Sequence, residues 1–211
     1  MVSKEQIRLY HHPLSRAATV LWMLEELGQS YALEYTDVQS GAGQTSSFLA
    51  LNPMGKLPVL VDGDTVVTES AAIGLYLADR YGLGSLAPQF DDPARGTYLR
   101  WSLFAPSVME TAVHAKVAKW EYRPAQAGWG KYESMLAATE SAIGEGPWLL
   151  GDRFTMADVI FGGTLRSLLR FGLLEARPAL TAYASRLSER PAARAAEAKN
   201  AAVVAERGLE P

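Results

Sequence analysis

The 211-residue chain contains no cysteine. That absence excludes a protein disulfide, a thiolate metal site and a CxxC redox pair, so any thiol in its chemistry must arrive with a ligand. Histidine is scarce. His11, His12 and His114 fall into no metal-ligand spacing, and no metal is expected. No stretch approaches the roughly 18 apolar residues of a membrane span. The opening MVSKEQIRLY is polar and lacks the apolar core of a signal peptide. Neither sign of charge dominates: 20 basic and 23 acidic residues give a net charge of −3. A nucleic-acid surface needs clustered Lys and Arg against the phosphates, and none is expected. These absences leave a cytoplasmic protein with neither membrane nor nucleic-acid partners.

What is present is ordinary globular composition, 48% hydrophobic and 20% charged, in a chain long enough for one large or two small domains. In IRLYHH, Ile7 and Leu9 alternate with Arg8, the period of a half-buried strand. Ala17, Val20, Leu21, Leu24 and Leu27 recur every three or four residues, and Gly28 ends the helix they predict. YALEYTDV alternates again, completing a βαβ unit with parallel strands. A short helical piece, SSFLALNP, follows. LPVLV and TVVT then flank Asp62-Gly63-Asp64, a hairpin signal. ESAAIGLYLADRYG predicts a helix to about Gly82. The order β-α-β-α-β-β-α matches a thioredoxin-like α/β domain over residues 1–82.

The Gly-, Pro- and Asp-rich segment 83–92 reads as a linker, and residues 93–211 as an all-helical domain. The predicted helices there run from Pro93 to about Tyr122 with a kink at Pro106, and over Lys131–Glu145, Thr155–Phe171, Pro178–Glu189 and Pro191–Glu206.

Three motifs carry a more specific signal: HHPLSRAATVLWMLEELG at 11–28, NPMGKLPVLVDGDTVVTESAAIGLYL at 52–77, and GDRFTMADV at 151–159. Leu57, preceding Pro58, is pushed out of the helical region into an extended conformation. Glu69-Ser70 stands at a helix start, where free N–H groups and partial positive charge suit a carboxylate. Ser70 adds a hydroxyl donor and Glu69 an acceptor for an ammonium, so the pair matches an amino-acid head group. Asn52 and Gly55 shape a turn. Thr155 and Asp158 form an S/T-x-x-D capping pattern, a structural role. Ser15 has the chemistry of a helix N-cap.

Together the motifs resemble those of the cytosolic glutathione transferases, of the bacterial type and serine- rather than cysteine-based, and the resemblance covers essentially the whole chain. It implies the thioredoxin-like domain binds glutathione and the helical domain contributes the site of an electrophile. In that family Pro58 is cis and the backbone of Leu57 pairs with the cysteinyl part of glutathione. Glu69 and Ser70 then hold the γ-glutamyl end, and Lys56 the anionic groups. Gln44 stands where some relatives place a histidine or lysine and is a candidate for the glycine end.

The resemblance also gives Ser15 the task of donating to the glutathione thiolate. A free thiol has a pKa of about 8.5, and lowering it by about two units requires near 2.7 kcal/mol. One hydroxyl donor to a charged acceptor supplies roughly 1.5–3 kcal/mol. N-capping and thiol activation therefore both stand for Ser15, with Tyr10 the chemical alternative and His11 and His12 further candidates to line the pocket; Arg16 offers local positive charge or a surface pairing with an acid. Met109, His114 and Trp120 are candidates for the electrophile site, although core packing suits Met109 and Trp120 better. The expected function is attack of the thiolate on small hydrophobic electrophiles, as in detoxification, by a homodimer. Alternatives are glutathione-dependent peroxidase, isomerase or dehalogenase chemistry, or a non-catalytic ligand-binding protein of the same fold.

Overall fold

The computed structural model describes residues 7–144 and 146–210. The opening MVSKEQ lies outside the described residues, as does Glu145, where the sequence predicts the end of a helix. Among the described residues, packing groups 7–77 with 191–210, and those of 78–190 as a second unit. Composition draws its lines elsewhere, at 82 and 93, and assigns the last helix to the helical domain.

The first unit is built on four strands, β1 (Ile7–His11), β2 (Tyr31–Tyr35), β3 (Val59–Asp62) and β4 (Thr65–Thr68), in the order β2-β1-β3-β4. β1 and β2 are parallel, as the intervening helix α1 (Ala17–Leu27) requires; β1–β3 and β3–β4 are antiparallel. The β3–β4 hairpin closes through Gly63 and Asp64, with Asp62 opposite Thr65 and Gly63 at a positive φ of 59°. A short helix α2 (Ser46–Leu49) carries Phe48 against the ring of Tyr10, 5.8 Å away.

Helix α1 ends at Gly28 in the left-handed conformation, as its sequence position suggests. Its apolar stripe, including Val20, Leu21 and Leu24, is buried, as are Leu9, Val59 and Leu60 of the sheet. α3 (Ser70–Tyr81) follows β4 directly.

The last helix, α9 (Pro191–Arg207), packs against α1 and thus belongs with the sheet. Ala193 and Ala196 are buried there. Its polar contacts are specific: Asn200 Oδ1 lies 2.7 Å from His11 Nε2, Lys199 reaches Glu25 at 2.6 Å and the Tyr31 hydroxyl at 2.8 Å, and the Arg207 guanidinium covers the Tyr35 ring at 3.7 Å. Periodicity finds this helix, but an Ala-rich pattern does not say what it covers.

The second unit is helical. α4 (Arg95–Phe104) and α5 (Glu110–Val117) are joined by a π-helical stretch, Ala105–Met109. Pro106 cannot continue an α-helical ladder, and Glu110 N–H instead bonds the Ala105 carbonyl five residues back. The predicted kink at Pro106 is thus a widened turn. The helix stops at Val117, short of the expected Tyr122, because Lys119 turns left-handed (φ 53°) and Trp120 N–H bonds back to the Ala115 carbonyl.

α6 (Tyr132–Ile143), α7 (Met156–Arg170) and α8 (Pro178–Ser188) complete the unit. Tyr98, Met109, Phe161 and Tyr183 are fully buried in its core. The segment read as a linker is tied down within this unit: Leu86 accepts from Met156 N–H at 2.8 Å and Asp92 pairs with Arg153 at 2.7 Å. Asp158 is fully buried and accepts from the N–H groups of Leu149 and Thr155 and from the Tyr183 hydroxyl, at 2.8, 2.9 and 2.8 Å. No described helix is long and apolar enough to cross a membrane.

Candidate functional site

Strand register brings the predicted residues of the first unit to one end of the sheet. Tyr10 near the end of β1 lies opposite Val59 at the start of β3, and Val59 lies opposite Thr68 at the end of β4. The chain therefore leaves β1 toward Ser15, enters β3 through Leu57-Pro58 and leaves β4 through Glu69-Ser70, all at the same edge. Motifs more than 50 residues apart in sequence converge there.

The Leu57–Pro58 peptide is cis. Among the described residues, neither the N–H nor the C=O of Leu57 takes a hydrogen bond, and the residue is half-buried. A backbone donor and acceptor left open beside a strand suit an extended peptide added at that edge.

Glu69 is exposed and holds a positive φ of 67°, uncommon for a residue with a side chain. Such backbone persists where the surrounding structure imposes it, and it clusters at ligand sites. The first α3 hydrogen bond runs from Ile73 N–H to the Glu69 carbonyl. The N–H groups of Ser70, Ala71 and Ala72 precede it, a place that favours an anion. Among the described residues the Glu69 carboxylate and the Ser70 hydroxyl have no partner. One helix start thus offers donors for a carboxylate beside a free acceptor for an ammonium.

Lys56 and Gln44 are both exposed, and the structure brings their loops together at two glycines. A Cβ on Gly55 would lie 2.7 Å from Gln44 Nε2 and 2.8 Å from the Gly43 carbonyl oxygen. The 52–57 loop is held from within by Asn52, whose amide donates to the Lys56 carbonyl at 2.7 Å and accepts from Met54 N–H at 3.0 Å. Asn52 and Gly55 shape the turn, as their residue types suggest.

Ser15 sits in a turn just before α1. Its hydroxyl donates to the His12 carbonyl at 2.8 Å, and its Oγ accepts from Ala17 N–H at 3.1 Å. The N-cap of α1 is Arg16, which makes no side-chain cap, so Ser15 stands one residue earlier and holds the first N–H of the helix through a two-residue turn. Arg16, next in the chain, is exposed.

The two other candidates on β1 point to opposite faces, as alternation along a strand demands. Tyr10 packs on Phe48 of α2. His11 is fully buried toward α9, bonded to Asn200, and its Nδ1 has no partner among the described residues. Burial holds the His11 imidazole below its ordinary pKa. His11 therefore meets the last helix rather than the turn carrying Ser15. In the helical unit, Met109 is fully buried while Trp120 is about half exposed, so core packing describes the first and not the second. His114 is exposed, with Nδ1 2.8 Å from the Glu110 carbonyl.

His12, which residue type offers as a further residue to line the pocket, takes a different place here. His12, 6% exposed, accepts the Leu14 N–H at its Nδ1 (3.2 Å) and supplies the carbonyl to which Ser15 donates. The available signal was a side-chain acceptor two residues before an N–H, as in an Asx turn, but in a histidine. A shallow cavity of about 660 Å³ lies at the opposite end of β1 and β2, lined by residues including Glu25, Tyr31 and Lys199. None of the predicted site residues lines it.

Residues 5–79 match the family model of the glutathione S-transferase N-terminal domain, and residues 111–186 that of the glutathione S-transferase C-terminal domain. Glutathione S-transferase 3 of Zea mays is 31% identical over 212 residues, covering 88% of this chain and 90% of the relative. GstB of Escherichia coli K12 is 29% identical, covering 83% of this chain and 89% of the relative. Among solved structures, the glutathione transferase URE2P6 of Phanerochaete chrysosporium, crystallised with oxidized glutathione, superposes with a TM-score of 0.79 at 28% identity. That match covers 96% of this chain and 100% of the relative. Two matched domains in order, on a thioredoxin-like sheet followed by a helical unit, make this chain a member of the glutathione S-transferase family.

Proposed function

We propose that the protein binds glutathione at the Ser15–Leu57–Glu69 end of its sheet and directs the thiolate onto small hydrophobic electrophiles. The observation that carries this reading is the register Tyr10–Val59–Thr68, which gathers a hydroxyl, an open peptide edge and an open helix start along one side. The α-carboxylate of the γ-glutamyl group meets the N–H groups and hydroxyl at Ser70, and its ammonium meets Glu69. The cysteinyl backbone pairs with Leu57. The glycine carboxylate falls to Lys56 and Gln44. A relative's structure with oxidized glutathione supports the fold's capacity for this ligand.

Ser15 then donates its hydroxyl proton in a hydrogen bond to the thiolate. It is not itself modified: the sulfur attacks the electrophile, and the leaving group departs with its electron pair. A donor to a charged acceptor contributes about 1.5–3 kcal/mol, enough to lower the thiol pKa by one to two units. Ser15 Oγ holds the Ala17 N–H and donates alike, because it has two lone pairs and one proton. The same reading makes the protein a cytoplasmic homodimer acting in detoxification.

The test is a spectrophotometric conjugation assay with a panel of electrophiles on wild type and Ser15→Ala, with glutathione affinity measured in parallel. Wild type is expected to conjugate, and Ser15→Ala to lose about tenfold or more in kcat with little change in affinity. Tight glutathione binding without conjugation of any electrophile would mark a binding protein instead. Full activity in Ser15→Ala would remove Ser15 from the reaction and turn attention to Tyr10.

A further inference from the structure

Two hydrogen bonds engage the Ser15 hydroxyl and a third its backbone N–H, and all trace back to a compact turn. The His12 carbonyl accepts twice from Ser15, from the N–H at 3.1 Å and from the hydroxyl at 2.8 Å. Ala17 N–H holds the hydroxyl oxygen from the other side at 3.1 Å. If the hydroxyl swings away to a new acceptor, the carbonyl keeps the N–H and the oxygen keeps Ala17. The donor can thus change partner with no buried group left bare, which would otherwise cost about 1–3 kcal/mol.

What fixes this turn is the side chain of His12. Its Nδ1 accepts the N–H of Leu14, two residues on, at 3.2 Å. That closes a ring of the kind Asn and Asp close in an Asx turn. The imidazole is nearly buried, 5.5 Å from the ring of Tyr35, and Pro13 between the two ends is buried as well. With Nδ1 accepting, the neutral ring carries its proton on Nε2.

We propose that His12 is a positioning residue for Ser15: its ring fixes the turn, and its carbonyl parks the hydroxyl until a thiolate arrives to take it. The proposal rests on the reading of Ser15 as the thiol's donor. His12 touches neither glutathione nor the electrophile. Its effect falls on the thiolate rather than on binding, because Leu57, Glu69 and Ser70 carry the affinity. A donor displaced by a few tenths of an ångström loses much of its value to a developing or resting anion.

The experiment compares wild type, His12→Asn, His12→Gln and His12→Leu. Three quantities are measured: glutathione Kd, the pKa of the bound thiol from its thiolate ultraviolet absorbance, and kcat with a nitro-activated aryl chloride. Asn restores an acceptor at the position of Nδ1 and is expected within about threefold of wild type in kcat. Gln carries its acceptor one carbon too far to close the turn, and Leu carries none. Both are expected to lose about tenfold in kcat and to raise the thiol pKa by about one unit, with Kd within about twofold.

A His12→Leu protein with wild-type thiol pKa and kcat overturns the proposal, and so does His12→Asn as impaired as His12→Gln. If His12→Leu fails to fold, as judged by circular dichroism, the Asn and Gln pair decides alone. Ser15→Ala separates the two levels. A silent Ser15→Ala removes the donor reading and this inference together, whereas a silent His12→Leu beside an impaired Ser15→Ala removes this inference only.

Discussion

Gly43 and Gly55 meet backbone to backbone, and the contact joins the two loops that carry Gln44 and Lys56. A methyl group on Gly43 would run into the carbonyl oxygen of Gly55. Gly43 has no positive φ, so a side chain there is opposed by space alone. Gly43→Ala is expected to push the loops apart, lower stability by about 1–3 kcal/mol and weaken glutathione binding severalfold. Thermal unfolding and titration calorimetry check the two effects. Unchanged affinity in a measurably destabilised variant would detach this loop pair from the ligand.

Glu69 gives a prediction in which stability and binding part company. Holding an L-residue in the left-handed region costs about 1–2 kcal/mol, which glycine avoids while adding roughly 0.5–1 kcal/mol of unfolded-state entropy. Glu69→Gly is therefore expected to fold with stability equal to or slightly above wild type, and to bind glutathione about tenfold more weakly for want of the carboxylate. Denaturant unfolding with parallel affinity measurement tests it. A variant that binds as wild type does would show that the ammonium of the ligand lies elsewhere.

His11 makes the packing of α9 sensitive to acid. Burial lowers its folded-state pKa below the ordinary value of 6.5, so the folded protein prefers the neutral ring. The resulting sign is definite. Stability is fully present above about pH 6.5 and falls as the pH drops toward the depressed pKa, because the unfolded chain takes up the proton first. Stability of wild type measured from neutral pH downward should decline more steeply than that of His11→Gln, which has no ring to charge. Parallel curves for the two proteins would contradict this account.

Asp158 is expected to matter for folding and not for chemistry. Replacing it with alanine strands the Leu149 and Thr155 N–H groups and the Tyr183 hydroxyl in a dry interior, at about 1–3 kcal/mol each before relaxation. Asp158→Ala should lose about 4 kcal/mol of stability. The kcat of the protein that remains folded should stay within about twofold of wild type. Chemical denaturation and an active-site-normalised rate separate the two quantities.

The sheet was legible in the sequence because its strands alternate cleanly and its hairpin carries Gly63-Asp64, a local signal with a local cause. The Leu57-Pro58 and Glu69-Ser70 pairs were legible for the same reason: each announces a backbone conformation, extended in one case and a helix start in the other. The positive φ of Glu69 was not legible, since nothing in its residue type calls for that conformation and its neighbours impose it. The place of α9 was hidden as well. Alanines at 193 and 196 permit close approach to any partner, and only the fold specifies that the partner is α1. Pro106 announced a break in a helix, yet whether a ladder kinks or widens to a π turn depends on how the turns on either side pack. His11 and His12, adjacent and chemically alike, took opposite roles because strand alternation ends between them.

The bond between His11 and Asn200 spans 189 positions of the chain. On a ribosome this separation becomes a delay. All four strands and α1 leave the exit tunnel long before residues 191–207 are synthesised, so the face of α1 that α9 covers waits in water through translation of the entire helical unit. The nascent first unit thus lacks its last helix for the time needed to add more than 110 residues, several seconds or more at roughly 5–20 residues per second. Premature termination anywhere in that interval would release a polypeptide with its first unit uncovered, a natural client for chaperones and a natural seed for aggregation.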